Sequence, residues 1–154
     1  MRRKGERRRK LKSEINTLRS IARRILSTVW YSDYALAEHI AEELGVRPDY
    51  VLTIIDAIND LRLSFPGKSS SWYERALIRA FAGVKKVSDN HWIVKGFPEL
   101  GDEYSHYNVV LSRDGKYVCD CMYRMWGYVR KAKICTHVAA VMLHRRIQRR
   151  LFEF

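Results

Sequence analysis

Apolar residues recur along this chain at two periods, and the change from one to the other divides it. From Leu11 the spacing is helical: Leu11, Ile15, Leu18, Ala22, Ile25 and Val29 share one face, with Arg19, Arg23 and Arg24 mostly turned from it. Residues 35–44 keep that period and stop at Gly45, where a left-handed cap residue is wanted, and Pro48 suits the first turn of a helix over 48–61. Turn-forming residues fill 64–71, and Ser71-Trp72-Tyr73-Glu74 has the capping-box form, so a fourth helix is expected over 72–82. Beyond it the period falls to two. Residues 84–87 and 91–94 alternate about a Ser88-Asp89-Asn90 turn, and 107–111 and 117–119 about Arg113-Asp114-Gly115, the pattern of two hairpins. The run Val138-Ala139-Ala140-Val141-Met142-Leu143 predicts a closing helix. The order is that of an α+β fold: a three-helix unit over 11–65, a linker at 66–71, and over 72–154 a small helix, antiparallel hairpins and a C-terminal helix.

Charge changes the picture at the ends. The net charge is +12 over 154 residues, which points to a polyanionic partner. By segment it is +9 over 1–30, −5 over 31–65, +2 over 66–118 and +6 over 119–154. Residues 1–10 hold almost no apolar side chain and read as a basic disordered arm, with Arg2, Arg3, Arg7, Arg8 and Arg9 available to phosphates. Arg19 and Arg23 extend that surface along the first helix, and Arg145, Arg146, Arg149 and Arg150 place a basic stripe on the last. The first helix is basic and amphipathic, a pattern shared by membrane-surface helices, but two short helices follow it and need a packing partner. No apolar run approaches the length of a membrane span.

Ala41, Gly45, Val51 and Ile54 sit at the spacings of a helix-turn-helix, so 34–61 resembles that motif of transcription factors, with 48–61 as the implied recognition helix. Its chemistry resists the role. Base edges and phosphates call for donors and cations, yet this helix carries Asp49, Asp56 and Asp60, and its neighbour Glu38, Glu42 and Glu43. The acidic tract 33–61 is therefore read as structural or as a dock for a basic partner, this chain's own arm included.

All three cysteines fall in one tract: Cys119-Asp120-Cys121, 13 residues, then Cys135-Thr136-His137. An odd count argues against a disulfide framework, and Cys119 and Cys121 are too close for an easy bridge. Three thiolates and an imidazole match a closed Cys3His zinc site, structural because no ligand position is left for a substrate water. If Cys119 and Cys121 lie on an extended strand they face one side and Asp120 the other. Cys135 and His137 open the last helix, whose N-terminal dipole favours a thiolate at Cys135. The second ring nitrogen of His137 then needs an acceptor that the sequence does not identify.

Cys-x-Cys, a variable insert and Cys-x-His before a small, apolar helix resemble the SWIM zinc finger. Lys133 fits the family habit, whereas Thr136 stands where lysine is common. The resemblance covers 72–145 and implies a helix and strand meander leading into the zinc. The family occurs in chromatin-remodelling ATPases, Mutator-like transposases and Shu-type recombination mediators, so it implies DNA or protein partners and no specific pathway. The insert between the cysteine pairs interleaves Tyr123, Trp126 and Tyr128 with Arg124, Arg130, Lys131 and Lys133. Such residues stack on bases and meet phosphates in single-strand binders, or the aromatics cover the zinc knuckle as a small core.

No phosphate loop, nucleophilic triad or carboxylate pair nominates a catalytic site or a small-molecule substrate. The sequence is thus expected to encode a non-enzymatic, zinc-binding accessory protein that grips nucleic acid without reading sequence, DNA being favoured by the resemblance. An RNA- or ribosome-bound protein and a protein-interaction adaptor are the alternatives. Reduced thiols and the lack of a signal segment make an intracellular setting the expectation, nuclear if the source is eukaryotic.

Overall fold

The computed structural model describes residues 2–27, 34–121 and 134–152, with side chains from Glu14 to Leu151 within those ranges. Five α-helices are delimited among the described residues: α1 (Arg2–Ser27), α2 (Tyr34–Leu44), α3 (Pro48–Ser64), α4 (Ser70–Ala82) and α5 (Thr136–Phe152). Four strands follow α4 in order, β1 (Val84–Ser88), β2 (His91–Lys95), β3 (His106–Leu111) and β4 (Tyr117–Cys119), and pair as an antiparallel meander β1-β2-β3-β4. The α+β reading holds, and the strands fall within a residue of their expected bounds.

Helix α1 starts earlier than its apolar face predicts. The backbone is helical from Arg2 rather than from Leu11, so α1 takes in residues 2–10 of the basic segment. Arginine and lysine are good helix formers, and a helix already nucleated over 14–27 propagates at low cost into such residues. Ile15, Ile21, Ala22 and Ile25 are buried in the core. That face is occupied by protein, so it is not free to lie on a membrane; no helix among the described residues is long and apolar enough to cross one.

Gly45 adopts φ +69° at the end of α2, and Val46 N–H reaches back to the carbonyl of Ala41 at 3.0 Å, the reciprocal bonding of a helix stop. The α2–α3 pair thus turns where the sequence indicates. Of the 17 residues of α3 only Asp49, Asp56, Leu63 and Ser64 are exposed, while Val51, Ile54, Ile55, Ala57, Ile58 and Leu61 are buried. A helix buried on this scale has no cationic face to lay in a groove. The acids of α2 and α3 are partly answered within the chain: Arg150 of α5 bridges Asp56 (3.2 Å) and Asp60 (2.6 Å) of α3, and Arg24 of α1 holds Glu43 of α2 at 2.6 Å.

Helix α4 begins at Ser70, capped by Ser69, whose hydroxyl accepts from Trp72 N–H at 3.2 Å. The expected cap at Ser71 is therefore displaced by two residues. Glu74 is not part of a capping box; it faces Arg19 (3.2 Å) and Arg23 (3.3 Å) of α1. One helical core runs through all five helices, from Ile21 and Ile25 through Ile40, Ile58 and Leu77 to Ala139, Leu143 and Ile147. The turn-rich 66–71 tract is a bend in the chain and not a gap in the packing. A second cluster joins the inner face of the sheet, Trp92, Val94, Tyr107 and Val109, to the three cysteines and to Val138 and Val141 of α5.

Candidate metal centre

The sheet, the chain beyond it and the start of α5 bring four side chains together. The ligand atoms of Cys119, Cys121, Cys135 and His137 all lie within 4.8 Å of one another, and all four residues are buried. A tetrahedral ion with sulfur ligands at roughly 2.3 Å requires separations of this order. Each sequence-expected metal ligand is thus in place, while His144 lies apart from the cluster, beside Lys86 and Arg145.

Cys119 ends β4, opposite Val109 of β3. The chain turns helical at Asp120, so Cys121 reaches the centre by a tight turn and not by continued strand alternation. Asp120 nonetheless points away: its carboxylate accepts from the backbone and side-chain N–H groups of Asn108, both at 2.8 Å. That contact anchors the turn to β3. On the other side Cys135 precedes α5, and its carbonyl accepts from Ala139 N–H at 3.0 Å. Hydrogen bonds from the Cys119 and Cys121 thiols, then the nearby His137 imidazole, hold Cys135 well below the ordinary thiol range, against the effect of burial. Cys119 is pushed up, because it donates to Cys121 and Cys135 and is itself buried.

The missing acceptor for His137 is Asp102. Its Oδ1 lies 3.0 Å from Nε2 of the ring, and Nδ1 is buried without a hydrogen-bond partner. A ring nitrogen left without a hydrogen-bond partner among three thiols is placed to ligate a metal, since an isolated buried polar atom is otherwise costly. The residues therefore fit one metal ion, with Nδ1 as the nitrogen ligand. Asp102 is itself held: Arg79, 2% exposed, grips both carboxylate oxygens, and the backbone N–H of Phe97 donates to it at 2.8 Å. Burial would raise the Asp102 pKa, but hydrogen bonds from His137, Arg79 and Phe97 outweigh it and keep the carboxyl ionised well below its usual range. Burial lowers and the Asp102, Cys121 and Cys135 contacts raise His137, which ends at about 10. Tyr107 stacks on the imidazole at 4.0 Å between centroids and fixes the ring plane.

Arg79, Asp102 and Tyr107 carry no sequence signal of their own. Asp102 sits 35 residues before His137 in a loop without metal-site spacing. Arg79 could have been singled out only as the charged residue on the apolar stripe of α4. Thr136 gains an explanation from it: the buried hydroxyl accepts from Arg79 Nε at 3.0 Å, and a lysine there would set an ammonium against the guanidinium.

The residues expected to meet nucleic acid divide into three groups. Arg124, Trp126, Arg130, Lys131 and Lys133, with the rest of the insert over 122–133, lie outside the described residues, as does Met1; Arg2, Arg3, Arg7, Arg8 and Arg9 are placed by backbone alone. Arg19 and Arg23 both face Glu74, which reduces their claim on phosphate. Arg145 donates to Tyr117 Oη at 2.6 Å and lies 5.0 Å over the Trp92 ring, whereas Arg149 is exposed.

No family model matches this chain, and no curated protein and no solved structure matches it either. What the fold and site define is an α+β protein with a buried Cys3His group able to hold one metal ion.

Proposed function

We propose that this protein is a non-catalytic, zinc-stabilised accessory protein that binds nucleic acid through its backbone. Zinc is the metal favoured by three soft thiolates and one imidazole around a tetrahedral centre. The ligands are buried on every side, so the ion shapes the protein and does not meet substrate. The ligand set and the hairpin leading to it support a SWIM-type finger.

The observation that carries nucleic-acid binding is the start of α1 at Arg2. Residues 2–12 hold eight Lys or Arg against one Glu, on a helical backbone that extends about 16 Å at 1.5 Å per residue. All of it precedes Ile15, the first buried residue of the helix among those whose side chains are described. Elsewhere arginines such as Arg24 and Arg150 answer internal carboxylates. Basic residues are thus concentrated along one helical segment, the footprint of backbone binding without base readout. Neutralising about six phosphates gives a slope near −5 for log affinity against log salt on duplex DNA. Fluorescence anisotropy with a random duplex between 50 and 300 mM salt tests this. A flat slope, or no binding at the lowest salt, overturns it, and tighter binding to an RNA duplex assigns the helix to RNA.

A further inference from the structure

A cleft of about 340 Å³ opens between the β1–β2 hairpin and the outer half of α5, at the small end of the range of ligand sites. Its lining includes Lys86, Asp89, Trp92, His144, Arg145 and Arg149. Lys86 is the cross-strand partner of Trp92, so its side chain emerges on the inner face of the sheet, over which α5 lies. His144, Arg145 and Arg149 approach from α5. Three permanent cations and an imidazole therefore face a single opening.

This concentration is unlike the other basic residues of the molecule. Arg19, Arg23, Arg24 and Arg150 each have a carboxylate. Among the described residues, neither His144 nor Arg149 makes a hydrogen bond or ion pair, and Arg145 bonds only the neutral Tyr117 hydroxyl while stacking on Trp92. The one acid at the cleft, Asp89, is fully solvated and lies 3.2 Å from Lys86. Burial, and after it the Lys86 charge, lowers the His144 pKa, which shows the two close enough to repel. Three cations gathered about a single, solvated counter-charge cost free energy that a bound anion would relieve.

We propose that this cleft is a phosphate-binding subsite, in which a phosphate mono- or diester lies between Lys86, Arg145 and Arg149. A tetrahedral oxyanion accepts several charge-assisted N–H bonds at once, and the Arg145 guanidinium is already fixed from below by Trp92 and Tyr117. The phosphate can come from a polynucleotide backbone or from a free phosphate compound. Only the first source rests on the proposed nucleic-acid function.

Two measurements on the full-length, metal-loaded protein decide it. In the first, inorganic phosphate is titrated into isotope-labelled protein while the His144 ring and Gln148 side-chain amide resonances are followed. In the second, a random DNA duplex is titrated at several salt concentrations. The K86A/R149A double variant alters exposed side chains, and K86R/R149K keeps their charge. Phosphate is expected to shift the cleft resonances of the wild type and of K86R/R149K, with binding to K86A/R149A at least about tenfold weaker. Duplex affinity is expected to fall about as far in K86A/R149A, with the salt slope flattened by about two. Either response supports the subsite. If phosphate moves no cleft resonance and the double variant binds duplex as the wild type does, the subsite is overturned while binding through α1 stands. If the wild type ignores duplex but phosphate shifts the cleft, the nucleic-acid reading fails and the subsite stands with a free phosphate compound as its ligand.

Discussion

The position of one proton organises the chemistry of the centre. His137 gives Nε2 to Asp102 and keeps Nδ1 for the metal, so Asp102 sets both the tautomer and the ring orientation. Asp102→Asn is expected to weaken metal binding about 10- to 100-fold in chelator competition, with the four ligands intact. An unchanged affinity would remove Asp102 from the account. The pH dependence follows from the same residue. In the metal-free chain His137 titrates at about 10, above its ordinary 6.5, so the stability from its protonated form is fully present below pH 6.5 and is lost as the pH rises towards 10. Metal must displace that proton. From pH 6 to pH 8 the apparent metal affinity should therefore rise about 100-fold from His137 alone, with the thiols adding to it, and binding should release protons measurable in buffers of different ionisation enthalpy. Asp102 moves the other way: its contribution is present above its ordinary 3.8 and is lost only in stronger acid.

Between the strands, the loop joining β2 to β3 is the element that delivers Asp102. Gly96 donates to Ser105 O at 2.7 Å, and a Cβ at this glycine would lie 1.8 Å from the Tyr104 carbonyl oxygen. That is a backbone contact, and no side-chain rotation can relieve it. Gly96→Ala is expected to cost about 3 kcal/mol, a drop of roughly 6–12 °C in melting temperature for a chain of this size, and to weaken metal binding by moving Asp102. At the end of α2, Gly45→Ala places a side chain at φ +69° in open space, so only the backbone penalty applies, about 1 kcal/mol in a denaturant melt with metal affinity unchanged. The contrast between the two glycines separates a loop that serves the centre from a helix stop that does not. Gly45 was legible in the sequence because helix stops have local chemistry. Gly96 was not, because its constraint comes from the backbone of Tyr104 and Ser105, eight and nine residues later. Ser69 displaced Ser71 as the α4 cap for a related reason: two serines offer the same hydroxyl, and Glu74 was already committed to Arg19 and Arg23.

Across the whole molecule, the strands and the four ligands could be read from period and spacing, since both are local patterns. The union of the two halves could not. Ala139, Leu143 and Ile147 of α5 look like the apolar face of a finger helix, yet they complete the core of α1–α4, while Val138 and Val141 of the same helix close the centre. Loss of the metal should therefore be felt beyond the hairpins. Chelation is expected to lower the melting temperature in one transition that includes α1–α3, because structural zinc contributes on the order of 10 kcal/mol or more in small fingers. A melt in which the helical signal is untouched by chelator would confine the metal's role to the sheet. The central claim is one structural zinc on Cys119, Cys121, Cys135 and His137. Native mass spectrometry of the purified full chain tests it most directly: one zinc per chain is predicted for the wild type and none for Cys135→Ser, whereas a metal-free wild-type chain with an unchanged fold would contradict it.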